Sequence, residues 1–188
     1  MPEQAPSARQ TELVDATYHY ALEHGLAGAS LRPVAEAIGS STGVLRFLFG
    51  SKDGLVRAVL ERARADELEV LETVRNSGDL REVAGQVWTW LADLDHAPVL
   101  RLWVESYATS LVEPEGPWGD FARRTVDDWL ALLARAQPAS VRRTAAGTAQ
   151  RTAALAVLRG GLLDLLATGQ RARVDRAVRE AIVAVTDG

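Results

Sequence analysis

Apolar residues recur at spacings of three and four along most of the chain, and no sustained stretch alternates with period two. The pattern predicts an all-α protein. Ser7 followed by Gln10 makes a capping box for a first helix that ends near Gly25. Its inward face carries Leu13, Ala16, Thr17, Tyr20 and Ala21, with the Thr17 hydroxyl in reach of a carbonyl one turn back. Ser30 is read as the cap of a second helix, with Pro33 in its first turn, where a missing N–H costs little. Val34, Ala35 and Ile38 form the stripe of that helix, and Gly39 ends it in the left-handed conformation. Ser41 opens a third helix on which Val44, Leu45 and Leu48 lie three and four apart. A long helix is expected over 52–75, roughly 36 Å at about 1.5 Å per residue, ended by Asn76-Ser77-Gly78. Further helices are expected over 79–95, 97–113, 117–136, 140–169 and 171–186, broken at Ala97-Pro98, Pro114 to Pro117, Gln137-Pro138 and Gly169.

The two short helices joined at Gly39 form a helix–turn–helix pattern, whose second helix enters the DNA major groove leading with its N-terminal residues. This divides the chain into a three-helix reading head, residues 1–51, and a helical body, residues 52–188. Of the 21 basic side chains, Lys52 is the one lysine, and it follows the reading helix where a phosphate contact belongs. The DNA-facing candidates are Ser30, Ser41, Thr42, Gly43, Arg46, Phe47 and Lys52. Phe47 carries a second assignment as well, closing the small core of the head together with Phe49.

Ser30, Leu31, Val34, Ala35, Gly39, Ser41, Gly43, Leu45, Phe49, Lys52 and Leu55 stand at spacings that resemble the TetR family of bacterial transcription repressors. The likeness is close over about a quarter of the chain, and the remaining helical layout is compatible with it. It implies an inducer site in the central helices and a dimer interface made by two helices from each subunit. Two positions depart from the pattern. The family usually carries tyrosine where this chain has Arg46, and histidine or tyrosine where it has Leu48, so those contacts do not carry over. Arg46 has the donors to grip guanine O6 and N7 or a phosphate. Leu48 has none, and is expected to pack inward or to meet a thymine methyl.

Charge does not strengthen the DNA reading. The chain has a net charge of −4. Over residues 1–56 four basic side chains face six acidic ones, a net of −2, so the positive groups must gather on one face. Modest phosphate contact, and hence a shallow salt dependence, is expected. The absence of cysteine excludes disulfides and thiolate chemistry, and three histidines leave little for a metal centre. No cofactor is expected. No apolar run is long enough to span a bilayer, and the opening MPEQAP reads as a short disordered lead without a signal-peptide core, so a cytoplasmic protein is expected. Asp93, Asp95 and His96 in DLDHAP are the rival catalytic set. They sit at a helix end where such residues are commonplace, and with no phosphate loop, nucleophile elbow or HExxH helix the chain is read as a non-enzyme.

All five tryptophans fall between residues 88 and 129. Core packing is the first reading for each; Trp103, Tyr107 and Trp129 are the candidates for lining an inducer pocket, whose ligand is then apolar or aromatic. Leu155, Leu158, Leu162 and Leu165, with Val174, Val178 and Ile182 on the last helix, are the candidate dimer contacts. Gly160-Gly161 inside that helix pair is read as a close approach to a neighbour, since each glycine costs about 1 kcal/mol against alanine. The function expected is a ligand-responsive homodimeric repressor on a palindromic operator. The alternative is a helical ligand-binding or adaptor protein of the same fold that has lost specific DNA binding.

Overall fold

A computed structural model of the chain describes residues 7–73 and 79–187. The expectations for the MPEQAP lead and for the break at Asn76-Ser77-Gly78 lie outside the described residues. Within them the regular structure is helical: α1 (Ala8–His24), α2 (Leu31–Ala37), α3 (Thr42–Phe49), α4 (Lys52–Thr73), α5 (Leu80–Leu91), α6 (Ala97–Val112), α7 (Phe121–Arg135), α8 (Ala139–Arg142), α9 (Ala145–Thr168) and α10 (Arg171–Thr186). Three differences from expectation appear, the first two of them from local capping. The helix expected over 79–95 stops at Leu91, because the Asp93 carboxylate accepts from the Asp95 amide at 3.0 Å and starts a 3₁₀ turn over Leu94–His96. The stretch 140–169 is two helices, since the Thr144 hydroxyl accepts from the Gly147 amide at 2.9 Å and caps α9 afresh. Residues 117–120 form turns before α7 instead of its first turn.

The chain packs as two compact units, Met1–Glu67 with Arg101–Ala122, and Leu68–Leu100 with Arg123–Gly188. The first unit takes in the three helices of the head together with residues beyond them. Leu102, Trp118 and Phe121 join the buried cluster formed by Leu13, Val34, Leu45 and Val59, and that apolar contact brings 101–122 into the head. On α1, Leu13, Thr17 and Ala21 are buried as expected, and the Thr17 hydroxyl donates to the Leu13 carbonyl at 2.7 Å. Ala16 and Tyr20 are only half-buried, while Tyr18 takes the inward place.

Tyr18 is held by charge as well as packing. The Arg62 guanidinium lies 5.1 Å from its ring centroid, and Arg62 Nε donates to Asp15 at 2.8 Å, tying α4 to α1. Burial first, and then a hydrogen bond to Asp66, push the Tyr18 phenol above the ordinary tyrosine value. A folded-state pKa above the unfolded one contributes stability in full below about pH 10, and that contribution is lost as pH rises further. Denaturation midpoints measured from about pH 9 to 11.5 should therefore fall more steeply for wild type than for Tyr18→Phe. Parallel curves would contradict this account of the phenol.

The second unit packs α5, α9 and α10 around Trp88. The seven candidate dimer contacts are all buried here within one chain: Leu155, Leu158, Leu162, Leu165, Val174, Val178 and Ile182. This corrects the sequence reading. Alternation at three and four identifies an apolar face without saying whose surface covers it, and here α9, α10 and α5 cover one another. Gly161 belongs to the same packing, since a Cβ there would lie 2.3 Å from Val178 Cγ2 and 3.0 Å from the Trp88 ring. The close approach expected of the glycine pair is thus made inside the chain by Gly161. Gly160 is exposed, and a Cβ there would meet nothing within 4 Å.

Candidate nucleic-acid interface

The turn between α2 and α3 owes its shape to Gly39, at φ 63°, where a side chain would be strained. Ser41 caps α3 as expected, its Oγ accepting from the Val44 amide at 3.2 Å. Ser30 occupies the equivalent position before α2 but makes no side-chain cap, a correction with a simple cause. The amide that Ser7 and Ser41 each take lies three residues on, and at that place after Ser30 stands Pro33, which has no N–H. The Ser30 side chain is left exposed beside the head.

On α3 the inward residue is Leu45, fully buried, flanked by Leu48 and Phe49 packed half-buried against the core. Leu48 therefore packs inward, the first of its two expected roles. Phe49 helps close the core as read, but Phe47 does not: it is 87% exposed. Gly43, Val44 and Arg46 are exposed with it and Thr42 is half-buried, so the N-terminal part of α3 and its outer side present the candidate set to solvent. Lys52 Nζ donates to the Ala27 carbonyl at 3.4 Å, which steadies an exposed ammonium with donors to spare.

Two of the four basic side chains of residues 1–56 are paired. Arg9 is paired with Glu12 at 2.7 Å and Arg32 with Glu36 at 3.0 Å. Arg46, on the reading helix, and Lys52, which follows it, have no ion pair among the described residues.

Two residues that position this surface were not among the candidates. Gly54, in the first turn of α4, lies so close to the end of α3 that a Cβ would stand 1.9 Å from the Phe49 carbonyl oxygen. A glycine in a helical first turn is its only signal in the sequence. Glu105 of α6 accepts from the Leu26 amide at 2.8 Å and the Ala27 amide at 3.0 Å, clamping the turn that leads into α2. Gly25 makes room for it, since a Cβ there would lie 2.9 Å from Glu105 Oε1. A contact spanning 79 residues leaves no local trace.

Of the ligand candidates, Trp103 and Tyr107 are brought together one turn apart on α6, ring centroids 5.2 Å from each other. Trp103 Nε1 is buried without a hydrogen-bond partner among the described residues, an unusual state for an indole N–H. Trp129 belongs to the second unit and is buried there. Two members of the rival catalytic set are structurally employed: Asp93 caps the 3₁₀ turn, and His96 stacks on Trp90 at 4.2 Å with its Nδ1 2.9 Å from the Trp90 carbonyl.

Two short helices at a glycine turn, the second exposing its N-terminal end and outer side, make the head of a helix–turn–helix DNA-binding regulator. The sequence profile of the tetR family of bacterial regulatory proteins matches residues 13–59. Over 150 residues the chain is 31% identical to the HTH-type transcriptional regulator BetI of Paraburkholderia phytofirmans, covering 75% of this chain and 76% of that protein. A transcriptional regulator from Rhodococcus has the same fold, with a TM-score of 0.79 at 21% identity, covering 95% of this chain and 96% of the other. The multidrug binding protein EbrR, in complex with imidazole, matches with a TM-score of 0.71 at 24% identity, covering 99% and 94%. Structures of EbrR with proflavin and with ethidium match as well. The chain belongs to the TetR family of bacterial transcriptional regulators.

Proposed function

We propose that this regulator is a ligand-responsive repressor that works in the cytoplasm as a homodimer on a palindromic operator. The observation that carries the reading is Glu105. It clamps the turn before α2 from a helix on which Trp103 and Tyr107 stand two residues to either side. An apolar or aromatic ligand inserted at that ring pair, engaging the unpartnered Trp103 N–H, displaces α6 and with it the carboxylate that holds the head. The EbrR complexes with proflavin and ethidium support that choice of ligand. Such coupling requires different ligand affinity in the two states, so ligand and operator must weaken each other by the same factor.

Dimerisation is assigned to the outward side of α9, not to its buried leucines. Ala149, Ala153, Ala156, Gly160, Leu163 and Ala167 follow one another at four and three, with Leu163 50% exposed. On α10, Val183 is 42% exposed. A strip of small residues with two apolar projections suits close approach of the same helices from a second copy, and a two-fold dimer then reads two half-sites.

Selection from a pooled random-duplex library tests the reading. A palindrome should be recovered. Lys52→Ala should weaken all sequences alike, while Arg46→Ala should also relax the preference at one position of each half-site. The salt slope should be shallow, near −0.9 for each of the few phosphates neutralised. A steep slope would contradict the modest phosphate contact, and no enrichment by an intact dimer would move the protein toward the adaptor reading.

A further inference from the structure

On a helix that buries Leu45, the side directly opposite is occupied by Gly43 and Phe47, one turn apart, with Arg46 on one flank and Val44 on the other. Phe47 is 87% exposed and Val44 39% exposed. Phe47 has nothing to do in the core, which Leu45, Leu48 and Phe49 already fill. Gly43 adds no side chain in front of it, and a Cβ there would meet only the Ser41 hydroxyl, at 3.7 Å. The centre of the reading surface is therefore apolar. It is continuous with Ser41 and Arg46, within the segment that matches the family's sequence profile.

In the major groove each base edge offers hydrogen-bond donors or acceptors, and thymine adds beside its O4 acceptor an apolar group that protrudes into the groove, the C5-methyl. A phenylalanine set against a donor or acceptor would leave that group without water or partner, an unfavourable exchange. We propose that Phe47 is a specificity-determining residue that selects thymine by its methyl group, with Val44 against the neighbouring base. This rests on the operator reading and names what the reading helix recognises at its centre. Arg46, on the flank, is then the group that supplies hydrogen bonds to a guanine or a phosphate.

Uracil lacks only the methyl and keeps the hydrogen-bonding edge of thymine, so it isolates the contact. The full-length dimer would be titrated against its selected operator and against duplexes in which each thymine in turn is replaced by deoxyuridine. One or two positions per half-site should weaken binding about fourfold each, the factor that corresponds to ~0.8 kcal/mol for one buried methyl. Phe47→Ala should bind the thymine and uracil duplexes equally at the main position. Because the side chain is exposed, its thermal unfolding should match wild type. A wild-type affinity indifferent to uracil at every thymine overturns the inference while leaving the regulator intact. So does a Phe47→Ala protein that keeps the wild-type thymine preference. Recovery of no duplex in the selection sinks both this inference and the operator reading on which it rests.

Discussion

A Trp88→Ala chain should lose about 3–5 kcal/mol of folding free energy, the usual cost of emptying a buried indole site. Trp88 is fully buried on α5, and its Nε1 donates to Asp175 Oδ1 of α10 at 2.9 Å. Its ring lies against the backbone of α9 at Gly161. One side chain thus touches all three helices of this packing. Trp88→Phe separates the two contributions. It keeps most of the ring volume and removes the N–H, while Asp175 retains Arg179 Nε at 2.9 Å. That change should cost about 1–2 kcal/mol. Urea unfolding followed by circular dichroism measures both. A Trp88→Ala loss below about 1 kcal/mol would mean that the helices close over the gap and that the indole is no keystone.

Glu105→Ala should leave the helices in place and loosen the entry to the reading helices. Hydrogen bonds to a charged group are worth about 1.5–3 kcal/mol each, so releasing the Leu26 and Ala27 amides removes about 3 kcal/mol or more of local restraint. Hydrogen exchange of those two amides should accelerate by about 100-fold, since about 1.4 kcal/mol corresponds to tenfold. Operator affinity should fall by at least about tenfold if the clamp positions the head. Glu105→Gln offers one acceptor oxygen in place of two, so it should protect one amide and recover part of the affinity. Faster exchange with unchanged operator binding would make the clamp a purely structural contact. It would also remove the main support for coupling through α6.

Much of the head is legible in the sequence because its determinants are local. Gly39, Ser41 and the alternation of Val34, Ala35 and Ile38 act over a single turn or helix, and each has the role read for it. Ser30 is the exception. Its residue type suits a cap as well as that of Ser41, but Pro33 removes the amide three residues on that Ser41 uses. That failure is itself local, but it takes the pair of residues together to see it. The break before α9 has the same character, for Thr144 is as plain a capping residue as Ser41.

Periodicity is weaker wherever a face has to be assigned to a neighbour. Phe47 and Phe49 are both aromatic residues on one short helix, two positions apart, and a helical turn of 3.6 residues sends them to different sides. Only the packing tells which side is wet. The buried leucines of α9 and valines of α10 pose the same problem on a larger scale. Their stripe is real, but it serves the chain's own core, and the alanines beside it are too small to stand out as a second face.

Capping, glycine conformation and helical period are properties of neighbouring residues, which is why the order of residues alone suffices for the all-helical class, the helix–turn–helix and the family. Three facts waited on the packing: Glu105 clamps the turn at Leu26 and Ala27, Trp88 joins α5 to α10, and Phe47 stands outside. Each depends on which distant surfaces bury one another. Burial rewards apolar area regardless of its position along the chain, so no spacing rule within the sequence encodes it.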